Sequence, residues 1–212
     1  MHVFGLIPAA GLSRRMGRPK LTLPLGERTV LEQVVSAVRG GGVEQVLVVI
    51  GPGTAFLQPL AEQAGAAVHV LPEETPDMRA TVRAGLAWIE EHYRPQPDDA
   101  WLLLPADHPT LSSVVVRALV AAADSQPRHS IFVPIHDGKR GHPTLLRWRH
   151  AGALSLWPGG QGLNAYIRAQ GSETLEIPWA RAEVLCDLDT PEDYERVSEP
   201  RPSGSGGDRH AP

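Results

Sequence analysis

The densest chemistry in the chain lies in one short run, Gly11-Leu12-Ser13-Arg14-Arg15-Met16-Gly17-Arg18-Pro19-Lys20. Arg14, Arg15, Arg18 and Lys20 put four cationic side chains within it. Gly11 and Gly17 let backbone N–H groups come close to an anion. Guanidinium forks and a lysine point charge beside such amides describe a cradle for a polyphosphate, although a solvated basic turn has the same composition. The spacing is not that of a Walker A loop, which needs Gly, four residues, then Gly-Lys-Ser/Thr. Here five residues separate Gly11 from Gly17, and Arg18 follows. Nor is it the Gly-x-Gly-x-x-Gly dinucleotide fingerprint.

Carboxylates form a second set. Asp107 lies in Pro105-Ala106-Asp107-His108-Pro109, and Asp187 and Asp189 alternate in Asp187-Leu188-Asp189-Thr190. Alternate residues of an extended strand point to one side, so Asp187 and Asp189 are expected to face one site. Structural uses compete with chemical ones: Asp107 could cap the turn before Ser112, and the later pair could serve the start of a helix. His108 and Cys186 receive no chemical role. A third set, Gly138-Lys139-Arg140-Gly141-His142-Pro143, reads either as an anion-binding region or as an exposed hairpin with solvated charges.

The elements that must position these residues alternate. Apolar runs predict strands at Val3–Ile7, Val46–Ile50, Ala67–Leu71, Trp101–Leu104 and Ile131–Ile135. Helical spacing predicts helices over Thr29–Arg39, Thr54–Ala64, Asp77–Glu91 and Ser112–Asp124. Beyond these come a return strand at Pro143–Leu146, a short helix at Leu163–Ala169, strand-like Thr174–Ile177 and Glu183–Leu185, and a capped helix at Thr190–Val197. The alternation signals a mostly parallel α/β sheet covered on both faces. Ligands of such sheets bind beyond the carboxyl ends of the strands, where the loop after the first strand and Asp107 both fall.

With 212 residues, 42% of them hydrophobic and 21% charged, the chain suits a single globular domain over 1–197. The Pro-, Gly- and Ser-rich stretch 198–212 is expected to be a disordered tail. A net charge of -4 disfavours sequence-independent nucleic-acid binding, and no apolar run approaches a membrane span. The single cysteine excludes a disulfide framework and a Cys-rich metal site. With no room for a signal peptide ahead of the first strand, a cytoplasmic location is expected.

Ala9, Ala10, Gly11, Ser13, Arg15, Met16, Gly17 and Lys20 match every fixed position of a known signature, and the segment resembles that of the MobA-like nucleotidyltransferases. The similarity runs to about Val197. Ala9-Ala10-Gly11 and Asp187-Leu188-Asp189-Thr190-Pro191-Glu192 resemble the molybdenum cofactor cytidylyltransferase branch. Guanylyltransferase relatives more often carry Ala-Gly-Gly and Asn-x-Asn-Thr-Pro-Glu.

The resemblance implies a Rossmann-like three-layer α/β/α fold. It implies transfer of CMP from CTP to a molybdopterin-type cofactor, release of pyrophosphate, and Mg²⁺ as the metal. Molybdenum hydroxylases or their chaperones would then be partners. Arg15, Lys20 and Asp107 would be catalytic. Ala9, Ala10, Gly11, Ser13, Arg14, Met16, Gly17 and Thr81 would bind the nucleotide. Asp107 and Asp189 would hold the metal, and His142, Asp187 and Asp189 would meet the acceptor. Departures exist: Gly160 and Asn164 stand where relatives show the Asp and Arg of Gly-Asp-x-Gly-Ala-Arg, and Arg79 is an added cation. They keep open a sugar or polyol phosphate acceptor, or a non-catalytic nucleotide-binding protein.

Overall fold

The computed structural model describes residues 1–157 and 161–198, the Arg14 side chain excepted. The tail from 199 onward and Gly160 lie outside the described residues. The elements run β1 (Val3–Pro8), β2 (Pro24–Leu25), β3 (Arg28–Thr29), α1 (Val30–Gly40), β4 (Gln45–Ile50), α2 (Gln58–Gln63), β5 (Ala67–Val70), α3 (Met78–Tyr93) and β6 (Ala100–Leu103). They continue with α4 (Ser113–Ser125), β7 (Ile131–His136), β8 (Lys139–Arg140), β9 (Thr144–Arg147), α5 (Arg149–Leu156), α6 (Leu163–Ala169), β10 (Thr174–Pro178) and α7 (Pro191–Ser198).

The main sheet has the order β10-β7-β9-β6-β1-β4-β5, with β8 folded back on β7. The β1, β4, β5 and β6 pairings are parallel, as is β7 with β10, and β9 runs antiparallel to both neighbours. Side-chain alternation divides the core in two. Ile7, Val48, Ile50, Leu102 and Phe132 pack beneath α1, α2 and α4. Phe4, Leu6, Val49, Trp101 and Val133 pack beneath α3, α5 and α6. The result is a three-layer α/β/α fold of Rossmann-like type. Close approach is built in at α3, where a Cβ on Gly85 would stand 2.4 Å from Leu6 Cδ1. No described helix is long and apolar enough to cross a membrane.

Helix starts follow their signals. At α1, Glu32 N donates to Thr29 Oγ1 (3.3 Å) and Thr29 N donates back to Glu32 Oε2 (2.6 Å). Three expectations need correction. The helix expected over Thr54–Ala64 begins as a 3-10 turn, Pro52–Leu57, and α2 covers only Gln58–Gln63. Pro59 has no N–H to donate and fits only in a first turn, which pins the α-helical start there. Glu183–Leu185 is not a strand but part of a 3-10 turn, Ala182–Leu185. That turn buries Glu183, whose carboxylate accepts from Ser112 N (3.1 Å) and Trp179 Nε1 (2.9 Å). Helix α5 was not anticipated. Its carbonyl end is held by Arg79, which donates to Leu154 O, Trp157 O and Gln161 O. The added cation therefore ties α3 to the end of α5.

Candidate active site

β1 delivers Pro8 to the carboxyl edge of the sheet, and Ala9 N extends its pairing by donating to Val49 O at 2.8 Å. The loop then turns twice through left-handed backbone, at Ser13 (φ 51°) and Gly17 (φ 67°). Glycine adopts this region freely, whereas serine there stores strain of the kind that collects at ligand sites. Two short 3-10 turns, Arg14–Met16 and Lys20–Thr22, carry Arg15 and Lys20. Met16 was expected at the nucleotide, but it is buried in the core with Leu21 and anchors the loop. Arg18 does not join the cradle either: its guanidinium lies 5.3 Å from the Tyr194 ring centroid on α7.

Beneath the loop is a cavity of about 370 Å³, lined by Ala9, Gly11, Ser13, Arg15, Lys20, Asp107 and Asp189 among others. Lys20 sits between the two carboxylates, with Nζ 3.0 Å from Asp107 Oδ2 and 2.9 Å from Asp189 Oδ1. Arg15 Nη1 lies 2.5 Å from Asp189 Oδ2. Asp189 is held by the start of α7, since Asp189 N and Thr190 N both donate to Asp193 Oδ2. Burial alone would lower the Lys20 ammonium, but the Asp107 and Asp189 carboxylates outweigh it and raise the group above its ordinary value. Burial would likewise raise Asp107. The hydrogen bond from His108 and the Lys20 charge win, and hold its carboxyl far below the usual range.

His108, which carries no role in the sequence reading, is buried with Nδ1 3.0 Å from Asp107 Oδ1. Nothing in the residue spacing signals this contact, because it is made between neighbours in an irregular turn. The His142 ring packs edge-on to His108, centroids 4.7 Å apart. His142 was expected to meet the acceptor. Burial first, and the neighbouring His108 second, push its imidazole down to about 4, so it is neutral near pH 7. It faces a different cavity from Lys20, beside Asn164 and Arg168.

Asp187 and Asp189 do not face one site. The chain from Cys186 to Asp189 has no strand pairing, so the alternation rule does not apply. Asp189 lines the Lys20 cavity, while Asp187 lines another concavity with Arg181 and Arg196. Thr81, Ala10 and Gly11 share a side compartment of about 270 Å³ with Thr75 and Asp77. There the Thr81 and Thr75 hydroxyl oxygens are 2.6 Å apart, and Asp77 Oδ1 accepts from Ala80 N at 2.8 Å to start α3.

Among the described residues no three His, Cys, Asp or Glu side chains gather around one point. Asp107 and Asp189 nevertheless line one cavity, with Asp107 kept ionised. That donor set fits a hard cation such as Mg²⁺, whose remaining ligands are phosphate oxygens and water.

A cation-bearing loop, a half-buried lysine and two carboxylates on the carboxyl edge of a three-layer α/β sheet fit a nucleotidyltransferase. The chain belongs to the MobA-like NTP transferase domain family, whose model matches residues 5–174. The molybdenum cofactor cytidylyltransferase of Escherichia coli K12 is 24% identical over 189 residues, spanning 89% of this chain and 92% of that protein. The phosphoenolpyruvate guanylyltransferase of Rubrobacter xylanophilus is 32% identical over 219 residues, spanning 100% of this chain and 98% of that protein. The crystal structure of Rv0371c from Mycobacterium tuberculosis H37Rv superposes with a TM-score of 0.77 at 25% identity, covering 93% of this chain and 97% of that one.

Proposed function

We propose that the protein transfers CMP from CTP to a molybdopterin-type cofactor, with release of pyrophosphate. The observation that carries the reading is Lys20 clasped by Asp107 and Asp189 under the loop from Gly11 to Lys20. The resemblance of Ala9-Ala10-Gly11 and of the Asp-x-Asp of Asp187 and Asp189 to the cytidylyltransferase branch favours the cytosine nucleotide.

An oxygen of the acceptor phosphate attacks the α-phosphorus. A new P–O bond forms, the bond to the β-phosphate oxygen breaks on the opposite face, and pyrophosphate departs. The loop amides and Arg15 hold the β- and γ-phosphates, and Lys20 neutralises charge building at the α-phosphate. Asp107 and Asp189 are the residues to hold Mg²⁺, which when bound offsets charge on the phosphate oxygens. Thr81 and Ala10 border the compartment for the rest of the nucleotide. A phosphate acceptor is largely ionised near neutral pH, so no strong general base is required. Positioning and electrostatics supply the catalysis.

A second reading has its own support. Identity to the R. xylanophilus guanylyltransferase is higher than to the E. coli cytidylyltransferase, 32% against 24%. This favours a different phosphorylated acceptor with a different base. One panel separates the two: CTP, GTP, ATP and UTP, each with molybdopterin-type cofactor, phosphoenolpyruvate and a polyol phosphate, read as pyrophosphate release. Release with CTP and the molybdopterin acceptor supports the first reading. Release confined to another pair overturns it, and no release with any pair leaves only a nucleotide-binding protein. Under the first reading, molybdenum hydroxylases or their chaperones are the partners that receive the product.

A further inference from the structure

Glu183 is a buried carboxylate with no cation against it among the described residues. Taking a carboxylate out of water is costly unless donors replace the lost hydration. Here three donors do so. Glu183 Oε2 accepts from Ser112 N at 3.1 Å, and Oε1 accepts from Ser112 Oγ at 3.3 Å and from Trp179 Nε1 at 2.9 Å. Ser112 is the N-cap of α4, yet its own side chain caps nothing, and the first turn of α4 holds no acidic residue. A negative group is favoured at a helix N-terminus. The chain supplies one from 71 residues away.

A serine cap with an acid in the first turn would start α4 without burying a carboxylate. What Glu183 adds is a connection. Asp107 lies shortly before Ser112, and Asp189 shortly after Glu183. The bonds from Ser112 therefore tie together the two segments whose carboxylates clasp Lys20. Backbone bonds follow the same seam. Leu188 N donates to Asp107 O at 2.8 Å, and the N–H of His142, whose ring packs on His108, donates to Val184 O at 2.7 Å. Both segments are irregular, with no strand pairing from 107 to 112 or from 186 to 190. Sheet register does not fix their separation there, and the Glu183 contacts do.

We propose that Glu183 is a positioning residue for Asp107 and Asp189, holding their two segments together so that both carboxylates meet at Lys20 and at a divalent cation. This role rests on the transferase reading only in the use made of that cation.

Glu183→Gln tests it. The amide matches the carboxylate in size but puts an N–H donor where one oxygen accepted, so one donor on that side loses its acceptor. The first measurement needs no metal. Hydrogen exchange of the Leu188 amide in the full chain quickens about tenfold more than that of the β4 amides. The second uses Mn²⁺ as the probe, titrated into the chain saturated with CTP and followed as free Mn²⁺ by EPR against CTP alone. Mn²⁺ affinity falls about tenfold in Glu183→Gln, while CTP affinity without metal is unchanged. If Glu183→Gln does not fold, Trp179→Phe removes a single donor and keeps a ring, with a change of about threefold expected in the same measurements. Exchange that quickens equally throughout the sheet, with Mn²⁺ affinity unaltered, assigns Glu183 to stability alone and overturns the proposal. So does a wild-type chain that takes up no Mn²⁺ beyond CTP alone. If both measurements change as expected but no triphosphate–acceptor pair turns over in the wild type, the transferase reading fails and the positioning role stands. If the wild type turns over and the variant matches it in both measurements, the positioning role fails and the transferase reading stands.

Discussion

Lys20 Nζ donates to Asp107 Oδ2 over 3.0 Å, across 87 residues of sequence. In the proposed mechanism these groups take different partners, Lys20 the α-phosphate and Asp107 the metal. Their direct pairing keeps both charged in a partly buried cavity until those partners arrive. It also holds them in place, so little reorganisation accompanies binding.

Substitution of the loop cations tests their roles. Lys20→Ala lowers kcat by ~10²-fold or more, as for loss of a donor that acts on developing charge. Arg15→Ala acts similarly, because its guanidinium is the other cation on the Asp189 side of the cavity. Steady-state pyrophosphate release checks both, and near-wild-type turnover in either variant removes that residue from the mechanism.

His108 is a positioning residue for Asp107. His108→Phe keeps a ring against His142 but loses the hydrogen bond to Asp107. The expected result is a rise in the Mg²⁺ concentration for half-maximal rate, larger than any rise in the CTP KM. A titration of rate against Mg²⁺ reads this, and equal shifts in both constants would assign His108 to packing alone.

Acid weakens the fold through two histidines. His142 is pushed down to about 4 by burial, and burial also lowers His150, despite the Glu173 carboxylate, which opposes it. His150 is held between the Tyr166 hydroxyl (2.7 Å) and Ser130 Oγ (2.7 Å). The unfolded chain takes up these protons below about pH 6.5, whereas the fold resists. The stabilisation is therefore present above about pH 6.5 and is lost as pH falls toward 4, at up to ~1.4 kcal/mol per pH unit per proton. Urea unfolding at about pH 7 and about pH 5 measures the slope. His142→Asn should flatten it, and an unchanged slope in that variant contradicts the assignment.

The α3–sheet contact leaves no room at Gly85. Gly85→Ala places a methyl against fully buried Leu6 and against Val49. Overpacking of this kind costs about 1–3 kcal/mol. A lowered thermal midpoint with unchanged CTP binding is expected, and equal stability would show that α3 can move away.

The sequence carried most of the scaffold because buried parallel strands read as continuous apolar runs, as at Val46–Ile50 and Trp101–Leu104. The loop was legible from residue type, yet only Arg15 and Lys20 of its described cations line the cavity shared with Asp107 and Asp189. Arg18 is drawn off by Tyr194, a partner 176 residues away that no local pattern reveals. Asp187 does not share the cavity of Asp189 because the segment after the 3-10 turn is irregular, where strand alternation does not hold. The pairing of His108 with Asp107 and the convergence of His142 with Arg168 are tertiary facts without a spacing signature.

Metal-assisted transfer centred on Asp107 is the core of the proposed function. The most direct test is pyrophosphate release from CTP with molybdopterin-type cofactor, with and without Mg²⁺, in the wild-type chain and in Asp107→Ala. Release is expected to need both the acceptor and the metal and to be lost in Asp107→Ala. Undiminished release from Asp107→Ala at the same Mg²⁺, or release from wild type indifferent to the metal, contradicts it.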